Sequence, residues 1–361
     1  MLRPAAFLQP QSTIEPDQVR SGLRALTAQG TVGMGFDAIT TGGFMAAFAL
    51  ALGANNLQIG ILAALPFIMQ PLQIPAIALV EKFRMRKAQA FFVIVAAQLI
   101  WLPVAAIPFL FTAPSEPAVA MLLGLVFLRS SLTPFFNSPW MSWLRDFVPP
   151  DIRGRYFGQR LKYATILGMV LGISAALFVD FWQQRPGLTE SEMAQGFTFP
   201  ILIGALTLGL LAPFFVARMP EPRIPIPIGG QQSIIKVIGE PFRDSNYRGL
   251  IRFKFLITLA MHLSIPFFAV YMIQVIGLPV SAVMGFTALS QIANILFLGP
   301  WGGMVDRFGA KAVLGVCSSL YLLVILGWAF TTLPDRYFLT IPLLVVQPRV
   351  PGDGIARDLV R

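Results

Sequence analysis

The sequence is poor in charge, cysteine and histidine. Only 12% of its 361 residues are charged, against about 25% in a typical soluble domain. The single cysteine, Cys317, excludes an internal disulfide, and with the single histidine, His262, it excludes a Cys/His metal cluster. We find no phosphate-binding loop and no nucleophile with a nearby base. We therefore predict no metal, no cofactor and no enzymatic activity.

Apolar residues are abundant instead. They make up 56% of the chain, and the mean hydropathy is +0.71. A hydrocarbon core of about 30 Å requires roughly 20 apolar residues in a helix, and lipid offers no partner to an unpaired backbone group. Nine segments satisfy this length, which predicts an all-α polytopic membrane protein. The segments lie near 30–53, 57–80, 89–112, 117–141, 161–182, 197–217, 253–276, 280–304 and 311–333.

The distribution of Lys and Arg predicts the orientation. Twenty-one of the 27 basic residues lie in loops on one side, whereas the opposite loops hold only Arg185 and Arg336. By the positive-inside rule, the N-terminus is cytoplasmic and the protein lies in the cell (inner or plasma) membrane. The net charge of +10 is then explained by contact with the lipid bilayer and not by nucleic acid. The basic loops are 1–29, 81–88, 142–162, 218–254 and 305–311.

A long polar stretch divides the apolar segments into two groups. Residues 1–29 are expected to form a cytoplasmic N-terminal segment, 30–217 a six-helix bundle and 218–252 a cytoplasmic linker. Residues 253–346 would form a partial second bundle, and 347–361 are an aberrant polar tail. Within the second bundle the apolar stretch 337–346 would span only about 15 Å, half of the membrane. We therefore expect the chain to be truncated at its C-terminus and its activity to be impaired.

A short motif occurs after both the second and the eighth segment. The stretch Gly303–Lys311 has an acid, a base, an aromatic residue and a trailing base in the same order as Ala78–Lys87. Gly303-x-x-Asp306-Arg307-Phe308-Gly309-x-Lys311 resembles the loop that follows helices 2 and 8 in the major facilitator superfamily, and Asp146–Gly158 resembles the loop between its helices 4 and 5. In the first copy Arg84 replaces a glycine, which makes a tight turn less easy.

The resemblance implies two parallel-repeat bundles, of which the second is incomplete here, and a gating role for the loop residues. The alternative is that these residues are solvated charges that only set topology. The implied gating residues are Glu81, Lys82, Arg86, Asp146, Arg153, Gly154, Arg155, Gly303, Asp306, Arg307, Gly309 and Lys311.

Charged and titratable groups inside the membrane are costly, and each is a candidate for a functional site. Asp37, Arg129 and His262 lie at predicted depths of about 10, 12 and 13 Å from the cytoplasmic side. In the resembled family, helices 1, 4, 7 and 10 line a central cavity, so these three residues are predicted to form one site. Arg129 would bind an anionic substrate group or pair with Asp37, and protonation of Asp37 would release it.

Other interpretations of these residues stay open. Asp37 would otherwise touch water near the interface or cap a kink, and His262, which titrates near neutral pH, would be a packed polar residue. The amides Gln70, Gln291 and Asn294 either contact the substrate or form hydrogen bonds between helices.

The sequence thus predicts a secondary active transporter of a small organic solute that works by alternating access, with proton coupling as an open question. The alternative is a membrane protein that does not transport, either an inert truncated relative or an assembly factor. The solute, the coupling ion and the oligomeric state are left open.

Overall fold

The structure is a computed structural model that describes residues 6–111, 114–224, 243 and 245–330. Thirteen α-helices occupy this part of the chain. They are α1 (Pro16–Ala38), α2 (Gly42–Ala51), α3 (Asn56–Ile68), α4 (Gln73–Phe83), α5 (Arg86–Leu99), α6 (Trp101–Leu110), α7 (Glu116–Phe147), α8 (Arg153–Gln183), α9 (Glu190–Gly204), α10 (Leu210–Arg218), α11 (Ser245–Gln274), α12 (Val280–Phe308) and α13 (Ala310–Phe330).

The predicted all-helical membrane fold is confirmed. Within the described residues, seven helical stretches are long and apolar enough to cross a membrane, and α12 and α13 contain the shorter apolar stretches Val280–Leu296 and Gly315–Val324. Each of the nine predicted segments coincides with one of these nine helical stretches. The predicted stub 337–346 and the polar tail lie outside the described residues.

The chain divides into two compact units. The first comprises Met1–Pro225 together with Pro279–Met284, and the second comprises Ile226–Leu278 together with Gly285–Arg361. Within the first unit, the Asp180 carboxylate at the end of α8 accepts hydrogen bonds from the backbone N–H groups of Val280 (3.0 Å) and Ser281 (2.8 Å). This contact satisfies two of the N–H groups that the first turn of a helix leaves unpaired.

Small residues allow α1 and α8 to approach closely in the first unit. A Cβ atom added to Gly168 would lie 3.3 Å from the backbone oxygen of Met34, and one added to Gly35 would lie 2.9 Å from Leu171. At the end of this unit where α1 begins and where the α4–α5 and α7–α8 turns lie, an aromatic core forms around Trp140, Trp143 and Phe147. We call this end the basic end, because the loops there carry most of the unit's Lys and Arg.

The first crossing is interrupted between α1 and α2, although its sequence predicts one continuous segment. The Thr40 hydroxyl donates to the carbonyl of Phe36 (2.7 Å), and the Thr41 hydroxyl donates to the carbonyl of Asp37 (2.7 Å). Gly42 follows with a φ of +60°. Threonine hydroxyls compete with the backbone for helical carbonyls, and glycine adopts positive φ without steric cost. These two features explain why the crossing is built from two helices and not from one.

In both copies of the repeated motif, a residue with positive φ directly follows the helix. The helix α4 ends at Phe83 and is followed by Arg84 with φ 50° and ψ 32°. The helix α12 ends at Phe308 and is followed by Gly309 with φ +82°. Arg84 is the one non-glycine residue with positive φ in the described part of the chain. A left-handed residue just after the last helical residue is a common helix terminator, and glycine is its usual occupant.

Replacing Arg84 by glycine is therefore expected to stabilise the protein by about 1 kcal/mol, because the side chain no longer opposes the left-handed backbone. The midpoint of thermal unfolding in detergent would measure the change. Met85→Gly is the matched control, since Met85 has φ −129° and gains nothing from glycine. A lower midpoint for Arg84→Gly than for wild type would refute the interpretation.

Candidate functional site

The packing of the first unit brings Asp37 on α1 close to Arg129 on α7. The Arg129 Nη2 and Asp37 Oδ1 atoms are 3.8 Å apart, which is within ion-pair range but longer than a hydrogen bond. A separation of this size leaves room for a bridging water or for a polar group of a ligand. The two residues that the sequence placed at one depth therefore form a loose ion pair.

Trp101 at the start of α6 supports the guanidinium. The Arg129 guanidinium carbon lies 5.0 Å from the centroid of the Trp101 ring, in the range of a cation–π contact. Trp101 is only 1% exposed and meets Phe36 edge to face at 5.7 Å. Sequence reasoning did not identify Trp101, and an indole in an apolar segment gives no signal of this role.

The guanidinium is not fully satisfied. Its Nε atom is buried and has no hydrogen-bond partner within the described residues, and its closest carboxylate stands beyond hydrogen-bond distance. The Arg129 side chain is nevertheless 23% exposed and that of Asp37 52% exposed. The pair therefore presents an accessible cation and an accessible carboxylate within membrane-crossing helices.

The interruption of the first crossing lies beside this pair. The side chain of Thr41 donates back to α1, so it does not cap the first turn of α2. Uncapped N–H groups at a helix start carry partial positive charge. Thr41 and Gly42 are exposed, so a polar stretch of backbone continues from Asp37. The arrangement can bind an anionic group and release it when Asp37 competes for the cation.

A second cluster of charges lies at the basic end. The side chain of Arg86, at the start of α5, is completely buried. It donates to Asp146 (2.5 Å), to the Ser142 hydroxyl (3.2 Å), to the backbone oxygen of Pro222 (2.9 Å) and to Glu221 (3.4 Å). All of these partners belong to the first unit. The buried cation therefore ties the starts and ends of three crossings together.

Glu221 is the main acidic partner of this cluster. It is 1% exposed, and its carboxylate accepts the backbone N–H groups of Arg86 (2.7 Å) and Lys87 (3.0 Å), which caps α5. Burial raises the pKa of Glu221 above its ordinary value, while these two N–H groups and the Arg86 guanidinium oppose the rise. Sequence reasoning missed Glu221. An acid between Pro220 and Pro222 in a basic loop was the available signal.

Comparison with known families settles the relationship. Residues 27–356, most of the chain, match the sequence profile of the Major Facilitator Superfamily. The chain belongs to the Major Facilitator Superfamily. Members of this superfamily are membrane transporters and typically not enzymes. No curated protein sequence matches the chain.

Solved structures of three transporter chains have a similar fold. A point mutant of the nucleoside transporter NupG is similar with a TM-score of 0.61 and 17% identity, covering 91% of this chain and 79% of that chain. NupG itself gives a TM-score of 0.58 at 17% identity, covering 95% and 80%. A bacterial homologue of the human lysosomal transporter Spinster, solved inward-facing and unoccupied, gives 0.57 at 16% identity, covering 96% and 79%.

The other candidate residues lie on other helices. His262 lies on α11 in the second unit with an exposed side chain. The Gln70 amide donates to the carbonyl of Pro66 (3.3 Å), and Gln73 donates to Gln70. Asn294 donates to the carbonyl of Ser290 (2.9 Å). Gln291 is half-buried on α12.

Within the described part of the chain, Gln70 and Asn294 form hydrogen bonds inside their own helical segments, whereas one of the two interpretations of these amides was bonding between helices. Pro71 has no N–H to continue the helix, a 3-10 turn forms at Gln70–Leu72, and the Gln70 amide takes a carbonyl of its own segment instead. Asn294 likewise bonds to the carbonyl one turn earlier.

Among the described residues, no group of three His, Cys, Asp or Glu side chains is arranged to hold a metal ion.

The predicted gating residues have different surroundings. Arg153 donates to the backbone oxygens of Arg145 (2.8 Å) and Val148 (3.0 Å) and so closes the end of α7, whereas Arg155 is exposed. Lys82 and Arg307 occupy matching places in the two copies, each over the ring of the phenylalanine that follows it. Glu81 is exposed and Gly154 has open space around it. The surroundings of Gly303 and of the side chains of Asp306 and Lys311 lie outside the part of the chain that the structure describes.

Proposed function

We propose that this Major Facilitator Superfamily member is a secondary carrier that moves a small organic anion by alternating access. The observation that carries the proposal is the incompletely paired guanidinium of Arg129, which is partly exposed inside a membrane crossing. A charge at this depth is costly unless it has a partner or a function. A carboxylate or phosphate of a solute would supply the hydrogen bonds that Asp37 leaves unmade.

Asp37 is proposed to compete with the solute for Arg129. In the empty carrier its carboxylate remains near the guanidinium. When it accepts a proton, the ion pair is lost and Arg129 becomes available to the anion, which couples solute movement to proton movement. The loose separation of 3.8 Å supports this exchange, since a tight bidentate pair would be harder to displace.

The proposed location is the cell (inner or plasma) membrane with the basic end in the cytoplasm. Support comes from the Lys and Arg count of the loops. In this orientation the Arg86–Glu221–Asp146 cluster fixes the cytoplasmic ends of the first unit. The exposed charges of the repeated loops, such as Glu81 and Arg307, are proposed to make contacts that differ between the carrier states and so bias their equilibrium.

Replacing Asp37 by asparagine is expected to abolish the dependence of uptake on a pH gradient, because the proton acceptor is lost while the size of the side chain is kept. Proteoliposomes would be tested with an isotope-labelled panel of small carboxylates, phosphate esters, amines and neutral solutes, with and without an imposed gradient. Asp17→Asn is the matched control, since Asp17 lies on the same helix with a 94% exposed side chain.

The panel also tests the function itself. Uptake of an anion by wild type and by Asp17→Asn, with a response to the gradient that Asp37→Asn lacks, supports the proposal. An unchanged gradient response in Asp37→Asn refutes the proton role. Uptake of amines alone, or of no member of the panel, refutes the anion carrier.

A further inference from the structure

A cavity of about 550 Å³, wide open along one side, lies between α1 and α8 in the first unit. It lies apart from the Asp37–Arg129 pair, toward the basic end. Its volume is in the range of small-molecule sites. One wall follows α1 from Leu23 to Val32, and the other is formed by Tyr156 and Tyr163 of α8.

The lining changes from charged to apolar along α1. Arg24 lies at the basic end of the cavity, Thr27 follows, and Ala28 and Val32 lie farther in. From Arg24 to Val32 the helix rises about 12 Å. Arg24 precedes the apolar segment that begins near residue 30 by roughly 9 Å, which is the depth of lipid headgroups in the proposed orientation. The apolar part lies at the depth of the first methylene groups of the acyl chains.

Arg24 is the charged group available for a ligand in this cavity. Its side chain is exposed, and it forms no ion pair among the described residues. Most polar groups in the walls are already occupied. The Tyr156 hydroxyl donates to the carbonyl of Leu23 (2.7 Å), and Thr31 donates to the carbonyl of Thr27 (2.9 Å). Tyr163 is 55% exposed; tyrosine is favoured at the level of the headgroups.

We infer that this cavity is a binding site for an anionic phospholipid of the cytoplasmic leaflet, with the phosphate on Arg24 and the start of an acyl chain between Ala28, Val32 and Tyr163. The order of charge and apolar surface matches a lipid that enters from the membrane. A soluble anion would share the contact with Arg24, but it has no need of the apolar continuation.

The test uses the purified full chain in an uncharged maltoside detergent. Thermal unfolding is followed while phosphatidylglycerol, phosphatidylcholine or glycerol phosphate is titrated in, and native mass spectrometry counts retained lipid. For wild type, phosphatidylglycerol is expected to raise the midpoint, and the other two to have little effect. Arg24→Gln should raise the phosphatidylglycerol concentration at half-saturation by about fivefold, since one basic residue near the membrane surface contributes roughly that factor in affinity.

The matched control is Arg20→Gln. Arg20 lies one turn earlier on α1, is 80% exposed and does not line the cavity, so its loss should leave the lipid response unchanged. Ala28→Phe fills the middle of the cavity, between Arg24 and Val32, and should abolish retention of the lipid. Because Arg24 has no ion pair to lose, the midpoint of Arg24→Gln without lipid should equal that of wild type.

Each other outcome overturns the inference. Equal weakening by Arg20→Gln and Arg24→Gln would show a diffuse charge effect and no site. An equal response to phosphatidylcholine would show that charge is not recognised. A full response to glycerol phosphate would assign the cavity to a soluble anion. Full retention of lipid by Ala28→Phe would place the lipid elsewhere.

Discussion

Replacing Arg129 by glutamine is expected to lower uptake of the transported anion by about tenfold to a hundredfold, while the protein still reaches the membrane. Hydrogen bonds to a charged group contribute about 1.5–3 kcal/mol. Losing them lowers the affinity for the anion by about tenfold to a hundredfold, and uptake falls with the affinity. The contacts of Arg129 with Asp37 and Trp101 are loose, so the folded structure should tolerate the change. Initial rates in proteoliposomes, normalised to the amount of inserted protein, would measure the effect.

Two variants show whether the effect is specific to this site. Arg129→Lys keeps the charge but loses the planar contact with Trp101 and bidentate bonding, so its uptake should be intermediate. Arg185 also stacks on an indole, 4.3 Å from the ring centroid of Trp182, but lies just after the end of α8. Arg185→Gln should transport as wild type does. Wild-type uptake by Arg129→Gln would eliminate Arg129 as the anion site.

Replacing Arg86 by methionine is expected to reduce the free energy of unfolding by about 3–5 kcal/mol. The change removes a completely buried cation and leaves Glu221, whose side chain is also inaccessible, without its counterion. Asp146 loses its 2.5 Å partner as well. Unfolding in detergent, by denaturant or by heat, would measure the loss.

Arg84→Met is the control for this experiment, because Arg84 lies two residues earlier and is exposed; its effect should stay within about 0.5 kcal/mol. The double variant Arg86→Met with Glu221→Gln should recover part of the lost stability, since the remaining group is then neutral. A loss in Arg86→Met no greater than in Arg84→Met would contradict the structural role of the cluster.

The order and number of the crossings in the described chain followed from apolar length alone, because each crossing must satisfy its backbone internally. Their limits did not. The helix α1 begins at Pro16, well before the apolar segment near residue 30. The polar first turns of this helix rest on packing at the basic end, where Ala25 and Leu26 are buried. Hydropathy identifies the part of a helix that lies in lipid. It does not detect the turns of the same helix that continue into water.

The site was predictable in part for the same reason. A charge in an apolar segment is conspicuous, so Asp37 and Arg129 were found. Their similar depth, together with the cavity-lining helices of the resembled family, suggested the pair. The residues that hold Arg129 and Arg86 in place were not conspicuous in the sequence. Trp101 has an apolar context, and Glu221 is separated from Arg86 by 135 residues. Sequence spacing carries no information about such contacts until the helices are packed.

The turns at Arg84 and Gly309 are the two copies of one repeated motif, with arginine in the first copy and glycine in the second. A residue with positive φ follows the helix in both halves, yet only the later copy has glycine, which adopts positive φ without strain. A side chain at this position costs about 1–2 kcal/mol, an amount that the buried contacts of Arg86 a short distance along the chain can offset. The shape of a duplicated loop can thus persist after its sequence has diverged, and pattern searches based on residue identity will find the Gly309 copy more readily than its counterpart.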